Sequence, residues 1–145
     1  MTNEKIFKER KRVSALIIED KKLLLVIAKN TRYYFTPGGG IKRGESTQNA
    51  LRRELKEELS VEVIDFRPYL NYEYMLPREY KLAENENILS KVSCYLVKYR
   101  GKIIPKNEIQ QIFWCSRKNF ESGEPKIGIG TRKYIIPKLI EDKLL

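Results

Sequence analysis

The chain predicts an α/β fold in which a mixed β-sheet lies between helices. Three observations carry this. Short β-branched and leucine-rich runs recur along the 145 residues, they alternate with one strongly amphipathic helical stretch, and a glycine-rich turn, Pro37-Gly38-Gly39-Gly40, leads into that helix. A chain of this length can bury a core without disulfides or a structural metal, so residues 1–145 are expected to form one domain.

Residues 13–18 and 22–28 are strand-like, and Glu19-Asp20-Lys21 between them has the composition of a hairpin turn. Tyr33-Tyr34-Phe35 predicts a short strand running into Pro37. Residues 46–59 have helical spacing: Leu51, Leu55 and Leu59 share one arc, and Glu54, Glu57 and Glu58 share a neighbouring arc of roughly 100°. Ser46 or Thr47 can cap the start of this helix by accepting from its orphan N–H groups. Strands follow over 61–75, with a break expected at Pro68, then over 89–99 and 109–115. The polar stretch 76–87 is long enough to form a functional loop. Ile135, Ile136, Leu139 and Ile140 place a final helix over 131–144, kinked at Pro137 or starting there. No repeat or low-complexity tract interrupts this order.

Lys and Arg number 29 against 19 Asp and Glu, a net charge of +10, and the chain has no histidine. The positive field favours anionic partners such as phosphate esters, nucleotides or RNA without choosing among them. The missing histidine excludes Ser-His-Asp, Cys-His and H-E-x-x-H chemistry, leaving a carboxylate, lysine, tyrosine or metal-activated water as general base. Cys94 and Cys115 form no C-x-x-C pair and are expected to be reduced and structural. The charged start argues against a signal sequence, and the longest aliphatic run, 23–28, is far short of the roughly 20 residues a spanning helix needs. A cytoplasmic protein without a membrane partner is expected, as a monomer or a homodimer.

Three carboxylates on one helix are costly without a counter-charge. Glu54 and Glu58 are a like-charge i,i+4 pair, which weakens an isolated helix by about 0.2–0.5 kcal/mol. Arg53 and Glu57 form the opposite, favourable i,i+4 pair. The glycines upstream let backbone oxygens approach a ligand closely, and oxygen donors of this kind suit magnesium.

With those residues in view, 39–61 resembles the Nudix box, G-x5-E-x7-R-E-U-x-E-E-x-G-U with U aliphatic. Gly39, Glu45, Arg53, Glu54, Leu55, Glu57, Glu58 and Val61 all match it. Chance agreement at those positions is on the order of 10⁻⁸ per starting point. The one departure is Ser60, where the family pattern has the glycine that ends the helix. The resemblance implies the Nudix α/β/α sandwich and hydrolysis of a nucleoside diphosphate linked to another group X, with Mg²⁺ or Mn²⁺ as cofactor. By position, Glu54, Glu57 and Glu58 would be metal ligands, with the Gly38 carbonyl as an additional one. Arg53 would orient them, and Glu45 would support the loop or reach a metal through water. Glu54 is the first candidate for general base; Glu108, and less so Glu84 and Glu86, could supply a later carboxylate.

Arg32, Lys42 and Arg43 flank the glycine turn and are candidates for phosphate contacts, while Tyr33, Tyr72 and Tyr74 are candidates for stacking on a nucleobase, worth about 1–3 kcal/mol. Gly128-Ile129-Gly130 lacks the rest of a phosphate-loop signature and is expected to be a connection. Among substrates, a nucleoside triphosphate is favoured. ADP-ribose or another nucleotide sugar is the alternative, since Pro77 stands 16 positions after Val61, as in ADP-ribose-cleaving members. An RNA-directed enzyme, or a non-catalytic module that binds nucleotide or RNA, is the third reading, and retention of all three glutamates argues against the non-catalytic form.

Overall fold

The computed structural model describes residues 6–77 and 86–145, with side chains from 8 and from 87 onward in the two segments. In chain order the elements are β1 (Ile6–Leu16), β2 (Ile18–Glu19), β3 (Lys22–Ala28), β4 (Gly38–Gly40), α1 (Thr47–Leu59), β5 (Glu62–Met75), β6 (Glu86–Arg100), β7 (Ile109–Ser116), α2 (Arg117–Ser122) and α3 (Ile136–Glu141). A π-helical turn, Thr131–Ile135, runs directly into α3. One sheet has the order β4-β1-β6-β5, with β1 and β6 parallel and the other neighbours antiparallel. The second, β2-β3-β7, is antiparallel.

Side-chain alternation along the strands divides the interior into two cores. Val13, Ala15 and Ile17 of the β1 region, with Leu24 and Val26 of β3, pack against Leu51, Leu55 and Leu59 of α1. Those three leucines are fully buried, each contributing about 1.5–3 kcal/mol. Leu16, Leu23, Leu25 and Cys94 face the other way, onto Ile135, Ile136 and Leu139 at the C-terminal end. Sheet is thus sandwiched between helical layers, the α/β/α architecture expected. The segment after β3 ties the two sheets together: Phe35 bridges Val26, and the Pro37 carbonyl accepts from Ala15 N at 2.8 Å.

Several local expectations change. The hairpin around 19–21 exists, but it joins only Ile18–Glu19 to Lys22–Leu23. Asp20 and Lys21 both take the left-handed φ (50° and 57°) that a tight two-residue turn needs. Residues 13–16 belong instead to the long β1, whose parallel partner β6 pairs with it from Ile6↔Glu86 to Leu16↔Leu96. Tyr33–Phe35 is no strand of its own and contributes only the bridges Val26↔Phe35 and Tyr34↔Ile127. Pro68 does not break β5: it sits on an edge strand beside a register shift between Pro68 and Leu70, where a missing N–H costs little.

The final helix begins as a π turn, and Pro137 occupies the first turn of α3, where its absent N–H is no loss. Helix α2 was not anticipated, because six residues are too few to show a helical period; its signal is the reciprocal cap of Ser116 and Asn119. Cys94 and Cys115 are buried and unbridged. Of the loop expected over 76–87, residues 78–85, and Glu84 with them, lie outside the described residues. No helix among the described residues is long and apolar enough to cross a membrane.

Candidate active site

Helix α1 is fixed at both ends by contacts that set its acidic face. Ser46 caps its start, its Oγ accepting from Asn49 N at 3.1 Å. At its end Ser60 takes the αL conformation (φ 63°, ψ 25°) that the family pattern assigns to glycine, and donates from Oγ to Ile104 O at 3.2 Å. The chain before β7 finishes the cap. Ile104 N, Lys106 N and Asn107 Nδ2 donate to the carbonyls of Leu59, Glu58 and Glu57 at 2.9, 3.0 and 2.7 Å. A side-chain hydrogen bond and a neighbouring loop thus offset the αL cost that glycine would have avoided.

Arg53 is the hub of the acidic face. Its Nε and Nη2 bind both oxygens of Glu45, at 2.8 and 2.9 Å; Nη1 reaches Glu54 Oε1 at 2.9 Å and Glu57 Oε2 at 3.4 Å; Nη2 also donates to Gly40 O at 3.0 Å. The planar guanidinium fork suits this task, and a lysine could not span it. Hydrogen bonding to Arg53, helped by the Lys42 amide, pulls the Glu45 carboxyl down to about 2, and the same contacts raise the Arg53 guanidinium further above its usual range. Glu45 therefore acts as a brace between the glycine loop and α1.

The glycine turn meets α1 where side chains have no room. A Cβ on Gly39 would lie 2.5 Å from Glu54 Oε1, and one on Gly38 would lie 2.0 Å from the Val13 carbonyl, at a φ of 139° that side-chain-bearing residues rarely adopt. Gly38 N donates to Glu58 Oε1 at 2.8 Å. Glu58 is almost wholly buried, and desolvation, reinforced by Glu54 and Glu108, raises its carboxyl to about 8 against the pull of the Gly38 amide.

Among the described residues no three acidic or thiol side chains stand in a cation-holding arrangement. The reason is visible in the bonds just described: Arg53 draws Glu54 and Glu57 to itself, and the Gly38 amide takes Glu58. The donor chemistry nevertheless fits a hard divalent cation. Glu54 and Glu58 are adjacent buried carboxylates, and Glu58 has no ion-pair partner among the described residues. A cation between them would offset that burial cost.

Beside the turn opens a cavity of about 560 Å³ bounded by β1, β5, the 30–36 segment and residues 128–131. Arg32, Tyr33 and Tyr72, expected from the sequence, line it, as does Tyr74. Lys42 and Arg43 are exposed and do not. Glu108 is exposed, near enough to act on Glu58 electrostatically but outside the cavity. Tyr72 stacks on Tyr134, with centroids 4.7 Å apart and planes 9° from parallel, and so forms a flat aromatic wall. Sequence reasoning missed Arg10 and Arg12 on β1 and the Gly128–Thr131 rim. The polar i,i+2 spacing of Arg10, Arg12 and Ser14 along a strand was the available signal.

An acidic helix face lies against a glycine turn beside a cavity in an α/β/α sandwich. The family model described as NUDIX domain matches residues 8–139. No curated protein matches the chain in sequence. Among solved structures it resembles a MutT NUDIX hydrolase from Burkholderia pseudomallei (18% identity, TM-score 0.67, 86% of this chain and 94% of that one). It also resembles a NUDIX hydrolase from Nitrosomonas europaea (21%, 0.66, 94% and 88%). A third likeness is to a bifunctional NMN adenylyltransferase/ADP ribose pyrophosphatase from Francisella tularensis (19%, 0.63, 92% of this chain and 41% of that one). The chain belongs to the Nudix family, whose hydrolases act on phosphorus-containing anhydrides of nucleoside diphosphate derivatives with the aid of a divalent metal.

Proposed function

We propose that the protein hydrolyses the pyrophosphate linkage of a nucleoside triphosphate, with Mg²⁺ or Mn²⁺ held by Glu54, Glu57, Glu58 and the Gly38 carbonyl. The observation that carries this reading is the glutamate face of α1 lying directly against Gly38 and Gly39 at the mouth of the cavity. When bound, the cation supplies charge neutralisation on the phosphate oxygens and makes an attacking water more acidic. The remaining work falls to the chain's own groups. Arg53 orients Glu54 and Glu57 and keeps the loop from drifting; Glu54, held 2.9 Å from Arg53, is the base that accepts the water's proton. Arg32 supplies a cation at the cavity rim, and Tyr33 and Tyr72, the latter backed by the stacked Tyr134, are the aromatic rings for a nucleobase.

The cavity volume suits one nucleotide. ADP-ribose is the second reading, supported by the likeness to the Francisella enzyme and by Pro77 at the edge of a neighbouring hollow. A panel of nucleoside triphosphates, ADP-ribose, dinucleoside polyphosphates and capped RNA, assayed by chromatography for nucleoside monophosphate or diphosphate products with magnesium or EDTA, separates these readings. Magnesium-dependent turnover greatest on a triphosphate is the expected result. No turnover of any member would favour a binding module instead. Glu57→Gln sharpens the test: Glu57 is half exposed and away from the leucines, so turnover falls by orders of magnitude while the melting temperature holds.

A further inference from the structure

On the β1 wall of the cavity, Arg12 lies within electrostatic reach of Glu58, while no acid among the described residues lining the cavity faces Arg10. Arg10 and Arg12 lie on the same face of β1, two residues and so about 6.6 Å apart along the strand. With Arg32 they put three guanidinium groups around the cavity, and none of the described residues lining it is an aspartate or glutamate. Arg10 is half buried, with Tyr74 in hydrogen-bonding reach, yet its Nε is buried without a partner. The residue opposite it in the β1–β6 pairing is Ser90, whose Oγ is likewise buried and unpartnered. Both orphaned atoms occupy one rung of the sheet.

Burying a guanidinium without an acid is costly, and placing two side by side adds repulsion. Desolvation and then Arg12 both push the Arg10 guanidinium below its usual range. A fold can tolerate this where a ligand brings the missing negative charge. A neutral purine could accept hydrogen bonds from one arginine, but it brings no negative charge to the cavity.

We infer that the Arg10–Arg12 pair binds an oxyanion of the substrate beyond the diphosphate at α1, so that the preferred substrate is a polyphosphate nucleotide rather than a diphosphate linked to a neutral sugar. This rests on the hydrolytic reading above only for the identity of the molecule, because anion binding needs no turnover. The two poles of the site then have separate tasks: α1 with its cation engages the linkage to be cleaved, and the β1 arginines select for charge farther along the chain.

The test is calorimetric titration with inorganic tripolyphosphate and with pyrophosphate, in EDTA at low salt. Wild type is expected to bind tripolyphosphate at least tenfold more tightly than pyrophosphate. Arg12→Gln is expected to lose at least tenfold in tripolyphosphate affinity, and Arg10→Lys, which keeps the charge in case Arg10→Gln does not fold, is expected to lose part of it. Lys118→Gln, on exposed α2, matches the charge change and is expected to bind as wild type. Equal affinity in Arg12→Gln and Lys118→Gln overturns the inference. So does guanosine binding as tightly as tripolyphosphate and losing that binding in Arg12→Gln, which would assign the arginines to a base.

In steady state, Arg12→Gln should raise KM for a nucleoside triphosphate at least tenfold with kcat nearly unchanged, and leave KM for a nucleoside diphosphate-hexose in place. Lost anion binding in Arg12→Gln, in a protein that turns over nothing, leaves the inference standing and removes the hydrolytic reading. Turnover with Arg12→Gln indistinguishable from wild type does the reverse.

Discussion

The two sides of the cleft handle charge in opposite ways. On α1, Arg53 is bonded to Glu45, Glu54, Glu57 and the Gly40 carbonyl, all within 13 residues of sequence. On β1, Arg10 and Arg12 face a cavity with no lining acid among the described residues. The paired side is pre-organised and rigid; the unpaired side holds a potential that a ligand can discharge. In the proposed division, catalysis falls to one wall and attraction of the substrate to the other.

The sharpest way to break this division is Glu54→Gln. The amide keeps the shape of a side chain packed against Gly39 but removes its charge and basicity. Turnover is expected to fall by about 10²–10³-fold, or about 2.7–4 kcal/mol of transition-state stabilisation, in an assay of nucleoside monophosphate formation at saturating magnesium. A comparable drop in KM-controlled affinity with kcat intact would assign Glu54 to the binding wall instead. Next in size is Gly38→Ala, which places a Cβ 2.0 Å from Val13 O at a φ of 139°. Its expected cost is about 3 kcal/mol, read as a lower urea midpoint with unchanged slope.

Smaller again is Tyr134→Leu. It removes the ring stacked at 4.7 Å on Tyr72 and is expected to cost about 0.5–1.5 kcal/mol beyond lost area. A rise in KM larger than the fall in stability would mean that the aromatic wall meets substrate directly.

This difference in partners also explains what could be foreseen from the residues alone. The α1 site is local: Gly39 to Val61 carry it in fixed spacing, and helical periodicity places the acids and leucines on adjacent arcs. Even the departure at Ser60 falls within that span, and its αL geometry follows from a nearby loop that no pattern encodes. The opposite wall gathers β1, β5 and the 128–131 segment from the two ends and the middle of the chain. Arg10 and Arg12 are not legible there because a charged strand residue ordinarily faces solvent, and only the assembled sheet shows that their face of β1 borders the cavity. Tyr72 was foreseen as a stacking residue, but its partner Tyr134 lies beyond 60 intervening residues.

The smallest expected effect concerns how the aromatic wall is held in place. Tyr69 on β5 donates from its hydroxyl to Asp142, just past α3, and lies 3.3 Å from Lys138 O. This clasp fastens the C-terminal helix to the sheet and so steadies Tyr134 above Tyr72. The hydrogen bond from Tyr69, with Lys138 beside it, depresses the Asp142 carboxyl below its ordinary 3.8. A depressed carboxyl contributes stability that is fully present above the unfolded value and is lost as pH falls through the folded one. In Asp142→Asn the amide cannot titrate, so its melting temperature should change less steeply than wild type below pH 3.8 and lie slightly under it at pH 7. Parallel melting curves for the two proteins across that acid range would show that the clasp carries no charge-dependent stability, and that packing of Ile135, Ile136 and Leu139 alone positions the wall.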